Sequence, residues 1–306
     1  MGSLVSIMES FKILLDSPVY SLQLLIDGIL IGAIFALAAY GMALVWGVMK
    51  LINFAQGEFV ILGGFITYTL SRVGIPPLVC VPISALALYV LGWGLFRTII
   101  FRIVEKDLFI SILATFGMSI LLQQLMNQLF GADVQTVESN LGTWFLFDNS
   151  VTILQIKVVS FAVALVLGLV LALFLKKSRL GQAIRATAQD TRAATILGVD
   201  TDKVYAATFG LNAAICGTAG ALVVQIWVIQ PFMGLAYTIR SFMIVIVAGL
   251  GSVTGVVLAG LGLGAAENMA GFILGTEFQA AFVFALLVVI LIGRNFKLRL
   301  QRGYLK

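Results

Sequence analysis

The sequence predicts an all-α membrane protein that crosses the bilayer about eight to ten times. Hydrophobic residues make up 61% of the 306 residues, charged residues make up only 11%, and the mean hydropathy is +1.10. Soluble domains are typically about 45–50% apolar and about 25% charged. Because one span needs about 20 apolar residues, this length leaves no room for a large soluble domain. We therefore expect residues 1–306 to form a single transmembrane domain.

Apolar runs predict the helices in order. We expect helices at about 21–46, 50–70, 78–101, 108–130, 151–175, 204–228, 238–251, 254–272 and 278–293. Pro76-Pro77 suits the first turn of the third helix. Asp107 is placed to cap the fourth helix, and Asp200 or Thr201 is placed to cap the sixth. The run at 238–251 is too short to cross alone, so we expect it to pair with the next run as tilted or partial spans.

The basic residues predict the orientation of the chain. When the runs alternate across the membrane, one side receives all 19 Lys and Arg residues except Lys12, Arg72, Lys157 and Arg240. Lysine and arginine concentrate in cytoplasmic loops, so this side, which carries the C-terminus, is predicted to be cytoplasmic. The segment at about 131–150 contains acidic but no basic residues, which is typical of an outer loop.

The N-terminal segment leaves two alternatives open. Residues 11–16 could end a short helix that lies at the membrane interface. They could also belong to an extra span that contains Glu9 and Lys12. The side on which the N-terminus lies depends on this choice.

A polar interruption separates the first two runs, with the sequence Asn53-Phe54-Ala55-Gln56-Gly57-Glu58. A carboxylate at the centre of a membrane helix costs about 2.5 kcal/mol or more. Broken helices at this depth occur where the backbone lines protein or a cavity. We therefore predict a helix break here, and we expect Asn53, Gln56 and Glu58 to line or gate a path through the membrane.

A second intramembrane carboxylate, Glu267, follows a glycine-rich stretch in the second half of the chain. Two interpretations stay open for Glu58 and Glu267: each faces a translocation path, or each is hydrogen-bonded to a neighbouring helix and holds the bundle together. The glycines do not form a nucleotide-binding loop, because their spacing is not GxGxxG and the chain has no Walker A sequence. Pairs such as Gly251/Gly255 and Gly260/Gly264 instead predict close helix packing.

The longest cytoplasmic loop spans about 176–203 and predicts a short helix at 183–197, which Gly198 would end. Small apolar residues, together with Arg185, Asp190 and Arg192, are typical of a helix that docks into a groove on another protein. The alternative is a helix that lies on lipid. The absence of aromatic residues is unfavourable for that alternative.

Composition also excludes several classes of enzyme. The chain contains no histidine, which removes histidine metal ligands, Ser-His-Asp triads and histidine proton relays. We therefore expect no catalytic residue and no metal site, and we expect Cys80 and Cys216 to be buried, inert thiols. Scattered basic residues give no support for nucleic-acid binding. Transport remains, by a channel, a secondary transporter or a pump subunit, and only a pump subunit needs a cytoplasmic coupling element.

Several motifs resemble the LivH-type membrane subunits of ABC importers, which are permeases for branched-chain or hydrophobic amino acids. The resemblance runs over nearly the whole chain. Its most specific parts are Tyr40-Gly41-Met42-Ala43-Leu44-Val45-Trp46-Gly47 with Ile52-Asn53-Phe54-Ala55-Gln56-Gly57-Glu58, Gly117-Met118-Ser119-Ile120, Ser178-Arg179-Leu180-Gly181 with Arg185-Ala186, Leu197-Gly198-Val199-Asp200, Gly249-Leu250-Gly251-Ser252, and Leu263-Gly264 with Glu267.

The resemblance implies a permease of the bacterial cytoplasmic membrane that works by alternating access. Its partners would be a second, LivM-like permease, two cytoplasmic ATP-binding subunits and a periplasmic solute-binding protein. ATP and Mg²⁺ would bind to the ATPase subunits, and this chain would need no cofactor of its own. The loop would couple it to the ATPases through Gly181, Arg185, Asp190, Arg192 and Gly198.

The sequence departs from the family pattern at several positions. Members of the family often have His where Gln56 stands, Pro where Thr254 stands and Gly where Ala248 stands, and the usual ending is replaced by Arg294-Asn295-Phe296-Lys297. Because Gln56 cannot titrate, a proton-linked role at this position is excluded. Relatives carry urea, short amides or aromatic acids, so these remain alternative substrates beside hydrophobic amino acids, and an ATP-independent channel or secondary transporter remains the alternative mechanism.

Overall fold

The computed structural model describes residues 12–14, 16–104, 106–146, 151–249 and 252–303, and of residues 146, 280 and 294–303 it describes the backbone alone. The chain is mainly helical, as predicted. In chain order the helices are α1 Pro18–Met49, α2 Gln56–Arg72, α3 Pro77–Thr98, α4 Leu108–Phe130, α5 Gln155–Lys177, α6 Arg179–Gln189, α7 Thr191–Ile196, α8 Thr201–Val223, α9 Gly234–Ala248, α10 Val253–Leu274 and α11 Gln279–Gly303.

Within this described part, seven segments are long and apolar enough to cross a membrane. They are α1, α3 with the short 3₁₀ turn Ile100–Arg102, α4, α5, α8, α9 with the 3₁₀ turn Pro231–Met233, and α10. The 17 residues of α2 and the apolar part of α11, Ala281–Gly293, are shorter. These elements correspond one to one to the nine predicted runs, and the predicted fold class is confirmed.

Two helices, α1 and α8, form the centre of the bundle. Their most apolar stretches are 83% and 89% buried, whereas the corresponding stretches of α3, α4 and α5 are only 22–28% buried. Helix α8 packs against α3, α2 and α1, and α1 also packs against α10, α9 and α5. The outer helices present side chains such as Leu86, Leu113 and Leu169 on their surfaces, as helices in contact with lipid do.

Glycines bring the backbones of α1 and α10 into direct contact. A Cβ atom at Gly28 would lie 2.7 Å from the Cα of Ala265, and one at Gly32 would collide with the carbonyl oxygen of Gly260. Gly264 packs on Gly28 and Gly32 in the same way. The predicted packing role of Gly260 and Gly264 is confirmed, whereas Gly251 of the other predicted pair lies outside the described residues.

Helix α2 begins at Gln56, not near residue 50 as predicted. Lys50 adopts a left-handed conformation (φ 51°) that ends α1. Side-chain contacts then hold the backbone between the two helices, since Thr115 donates to the carbonyl of Ile52 and accepts from the amide of Phe54. A helix of 17 residues spans about 25 Å, so α2 crosses only part of the bilayer core.

The sixth predicted helix is also shorter than expected. Helix α8 ends at Val223, and the following residues leave the helix to pair with the segment after α4: Gln135 and Ile229 exchange two backbone hydrogen bonds of 2.8 Å, and the amide of Val137 donates to Val224. Beyond that segment, β1 (Thr143–Leu146) and β2 (Val151–Leu154) form an antiparallel hairpin in which Thr143 lies opposite Leu154. The sequence did not predict this hairpin, whose second strand replaces the start expected for α5.

The helix caps agree in part with the prediction. Asp200 caps α8, because its Oδ1 accepts a hydrogen bond from the amide of Lys203. Asp107 occupies the capping position of α4, but its side chain makes no capping hydrogen bond.

The alternatives for the N-terminal segment depend on residues 1–11, which lie outside the described residues.

Candidate functional site

The predicted helix break is a tight turn in which Asn53, Ala55 and Gln56 are completely buried. Asn53 Oδ1 accepts a hydrogen bond from the amide of Ala55, and its amide group lies 3.4 Å from Gln56 Oε1. Gln56 Nε2 donates to the carbonyl of Ala38 in α1 and contacts Cys216 Sγ in α8. Both partners lie in the interior of their helices, so α2 begins deep inside the bundle.

Glu58 lies in the first turn of α2 and is completely buried. Its Oε1 accepts hydrogen bonds from Ser119 Oγ at 3.0 Å and from Gln123 Nε2 at 2.8 Å, both in α4. Its Oε2 has no hydrogen-bond partner. The carboxylate also packs against Gly234, the first residue of α9, where a side chain would collide with it. The positive end of a helix dipole favours a carboxylate at this position.

The N-termini of α2 and α9 therefore meet inside the bundle. A Cβ atom at Gly57 would collide with the carbonyl of Gly234. Thr238 joins the two elements, since its hydroxyl accepts from the amide of Gly57 at 2.9 Å and lies 3.1 Å from the carbonyl of Phe54. Helices that begin at membrane depth occur where the freed backbone is buried in protein or lines a cavity.

The second predicted carboxylate lies in a cavity of about 380 Å³. Glu267 on α10 forms an ion pair with Arg240 on α9: the guanidinium Nε donates to both carboxylate oxygens at 3.1 and 3.0 Å, and Nη2 donates to Oε1. Arg240 also lies over the Phe35 ring of α1, 5.0 Å from its centroid, and 6.0 Å from that of Tyr237. Phe35 in turn stacks on Trp227.

The predicted path residues thus form two neighbouring groups. Asn53, Gln56 and Glu58 lie together in the buried turn, whereas the cavity lining includes Glu267 but none of these three. The groups meet at the start of α9, since Met233 lines the cavity and Gly234 contacts Glu58. Both carboxylates are also bonded to neighbouring helices, as the structural interpretation expects.

Arg240 is the functional candidate that the sequence analysis missed. The charge distribution identifies it only as one of four basic residues that do not lie on the predicted cytoplasmic side. A guanidinium within an apolar run was a usable signal, because intramembrane charges pair with one another or face a cavity. Its partner, 27 residues away in another helix, could not be read from the sequence.

The predicted coupling helix at 183–197 is wrong in one respect: it is two helices, α6 and α7, divided at Asp190. Asp190 is extended (φ −152°), and its Oδ1 caps α7 by accepting from the amide of Ala193 at 2.9 Å. Gly198 has φ +87° and follows α7, as expected of a helix-ending glycine. Gly181 is buried against the backbone at the end of α5, which a Cβ atom would strike.

The apolar face of α6 is used within the chain itself. Ile184 is buried against the bundle, whereas Arg185 is exposed and reaches the carbonyl of Lys176. Arg192 on α7 is also exposed. Beyond it, Ile196 and Leu197 are 79% and 84% exposed, so the apolar surface free for another molecule lies at the end of α7 and not along α6.

The polar chemistry around α7 is that of an exposed surface. Hydrogen bonds from the side chain and the amide of Lys203 lower the pKa of the Asp200 carboxyl, so the α8 cap is kept while this group stays ionised.

Cys80 and Cys216 are free and buried, as predicted. Among the described residues, no group of three or more His, Cys, Asp or Glu side chains could hold a metal ion.

Comparisons with known proteins agree over almost the whole chain. The family model described as "Branched-chain amino acid transport system / permease component" matches residues 24–291. The permease protein LivH of the high-affinity branched-chain amino acid transport system of Escherichia coli K12 is 32% identical over 89% of this chain and 93% of its own length. The corresponding BraD protein of Pseudomonas aeruginosa is 30% identical over 89% and 94%. No solved structure gives a significant match.

Proposed function

The chain belongs to the branched-chain amino acid transport permease family, and from this premise we propose that it is the membrane subunit of an ATP-driven, binding-protein-dependent importer. Its cargo would be branched-chain or other hydrophobic amino acids. It would move them by alternating access, without covalent chemistry, as one transmembrane domain over residues 1–306. Membership of the family favours the bacterial inner membrane as its location. The distribution of basic residues favours a C-terminus in the cytoplasm.

The observation that carries this proposal is the meeting of two helix N-termini inside the bundle. The first turns of α2 and α9 meet at Gly57 and Gly234, next to the Glu58 carboxylate. Such discontinuous helices surround the substrate sites of transporters. We assign Asn53, Gln56 and Glu58 to one wall of the translocation path, and Glu267 to the wall from the second half of the chain.

The partners follow from the same premise. A second, LivM-like permease would complete the path, a periplasmic solute-binding protein would deliver the substrate, and two cytoplasmic subunits would hold ATP and Mg²⁺, so that this chain needs no cofactor. The α6–α7 element would contact an ATPase subunit. Gly181 would seat it against α5, Asp190 would cap α7 at the break between the two helices, and Gly198 would follow its end. Arg185 and Arg192 would face the partner.

The first experiment is affinity purification of the chain from its native membrane with identification of the subunits that come with it. A second permease and two ATP-binding chains would support the importer. A chain that purifies alone or as a homodimer would contradict it and favour a channel or a secondary transporter. Uptake of leucine, urea, short amides and aromatic acids by the purified complex would then separate the alternative substrates.

The role of Glu58 has its own test, the substitution Glu58→Gln. The amide keeps the size of the side chain and still accepts from Ser119 and Gln123, but it removes the charge beside Gly234. We expect impaired uptake with intact assembly of the complex. Uptake at the wild-type rate would remove Glu58 from the path.

A further inference from the structure

The cavity beside Arg240 has the size and the chemistry of a small-ligand site. Its volume of about 380 Å³ falls in the range of ligand pockets, about 300–1,000 Å³. Most of its lining is apolar or aromatic, and a single ion pair supplies both charges. The residues of the lining that the argument uses are Phe35, Trp227, Met233, Tyr237, Arg240 and Glu267.

We propose that this cavity binds the zwitterionic α-amino acid, with Arg240 on its carboxylate and Glu267 on its ammonium group. This inference rests on the proposed function and deepens it. The planar guanidinium of Arg is suited to a carboxylate, and the carboxylate of Glu267 is suited to an ammonium ion. The apolar lining accommodates the side chain of the substrate.

The ion pair is compatible with this role because the ligand would exchange one set of opposite charges for another. A zwitterion that enters between Arg240 and Glu267 replaces their mutual contact by two new contacts, so neither charge is left unpaired. A ligand with only one charge would leave one protein charge buried without a partner, which is costly. The cavity is therefore expected to discriminate against amines without a carboxylate and acids without an amine.

The surroundings hold both charges in place. Arg240 is in contact with two aromatic rings, and its side chain is 17% exposed, compared with 6% for Glu267. One turn before Glu267, Gly264 packs directly on α1, and Asn268 donates to the carbonyl of Leu24 at 2.7 Å. These contacts fix the backbone of α10 against α1 and thereby hold Glu267 at the cavity, as a specific site requires.

The chain offers a matched control for the ion pair. Asp27 on α1 and Lys157 on α5 form a second partly buried pair, with a distance of 2.7 Å. Neither residue lines the cavity. A purely structural role for intramembrane ion pairs predicts that the two pairs respond alike to neutralisation, whereas the zwitterion site predicts a loss of binding for the cavity pair alone.

The test measures binding of radiolabelled leucine to the assembled transporter, purified without its solute-binding protein. We expect the double variant Arg240→Gln/Glu267→Gln to weaken binding about tenfold or more, and Asp27→Asn/Lys157→Gln to leave it within about twofold. A second variant, Met233→Trp, fills the cavity while both charges of the ion pair are kept, and it is expected to weaken binding as well. Co-purification of the partner subunits and the basal rate of ATP hydrolysis report whether each variant is assembled.

Competition by analogues provides a measurement on the wild-type protein that does not depend on any variant folding. 4-Methylpentanoate lacks the ammonium group, and 3-methylbutan-1-amine lacks the carboxylate. Both should compete with leucine about tenfold more weakly than unlabelled leucine does. In the Glu267→Gln variant, the affinity for 4-methylpentanoate should rise relative to the affinity for leucine. A structural role of Glu267 would not produce this change of specificity.

The outcomes separate this inference from the proposed function. A transporter that imports leucine but whose leucine binding is unchanged in the double variant and in Met233→Trp would overturn the site and leave the importer intact. Equal competition by the two analogues, or import without any measurable leucine binding to the wild type, would also overturn it. A complex that neither contains ATPases nor moves amino acids would instead contradict the proposed function.

Discussion

At the residue scale, the glycines of this chain do two different things. Gly57 and Gly234 allow the N-termini of α2 and α9 to touch, and a side chain on either would strike the other helix or the Glu58 carboxylate. Gly262, in contrast, lies in the interior of α10 with nothing near the position of its missing Cβ. Glycine is thus required at the first two positions by close approach, and at the third nothing in the packing requires it.

This difference predicts opposite effects of the same substitution. Gly57→Ala and Gly234→Ala should each destabilise the protein by about 1–3 kcal/mol, the usual cost of overpacking. Gly262→Ala should stabilise it by about 0.5–1 kcal/mol, because alanine favours the helix. Thermal unfolding in detergent would compare the three variants. An equal change in all three would mean that the contact between α2 and α9 contributes nothing to stability.

At the element scale, the α6–α7 segment is a hinged pair of short helices, and Asp190 defines the hinge. Its carboxylate satisfies an amide at the start of α7, and the contact is local. An α7 of six residues is far below the length at which isolated helices are stable. Its order therefore depends on the Asp190 cap, on the burial of Ala194 and on the left-handed glycine that follows it.

Removal of this cap should weaken coupling while leaving the bundle folded. Asp190→Ala should destabilise α7 by about 1 kcal/mol and lower the stimulation of ATP hydrolysis by substrate. Asp190→Asn keeps the cap and removes the charge, so it should behave like the wild type. Equal impairment of both variants would mean that the charge of Asp190, and not its cap, is needed for coupling.

The charges on this element allow a separate measurement. Reversal to Glu at Arg185 or at Arg192 should reduce the stimulated ATP hydrolysis of the complex, because both side chains are exposed on the face assigned to the ATPase. Unchanged stimulation would indicate that the segment merely lies at the membrane interface.

The exposed pair Ile196–Leu197 predicts a contact with a partner. The double variant Ile196→Ser/Leu197→Ser should lower the amount of ATPase that co-purifies, with no loss of thermal stability of the chain itself, because both side chains are about 80% exposed. Val73→Ser is the matched control, since Val73 is 78% exposed at the end of α2. A similar loss for Val73→Ser would show that general solubility, and not docking, explains the effect.

The sequence predicted elements better than their ends and contacts. Long apolar runs predict membrane helices, since a helix satisfies all of its backbone hydrogen bonds within one segment in lipid, and each predicted run corresponds to a helix. The start of α2 depends on Thr115, which is remote in sequence, and the division of α6 from α7 depends on a side-chain cap. The Arg240–Glu267 pair and the hairpin depend on tertiary contacts, which hydropathy does not encode.

At the scale of the whole molecule, the bundle is two central helices surrounded by helices that face lipid. The orientation of this bundle is open to direct measurement. In a variant in which Cys80 and Cys216 are replaced by Ser, a membrane-impermeant maleimide added from outside should label Ser139→Cys but not Thr195→Cys. Labelling of Thr195→Cys but not of Ser139→Cys by the external reagent would contradict the predicted topology. Labelling of neither position until the membrane is opened would also contradict it.

The pair of hydrogen bonds between Gln135 and Ile229 has a mechanical consequence. It fastens the segment after α4, which is predicted to lie outside the membrane, to the stretch that leads directly into Pro231 and the first residue of α9. A displacement of that segment would therefore be transmitted along the chain to the point where α9 meets Glu58. A protein that docks on this segment would thus be linked to the centre of the bundle through two backbone hydrogen bonds.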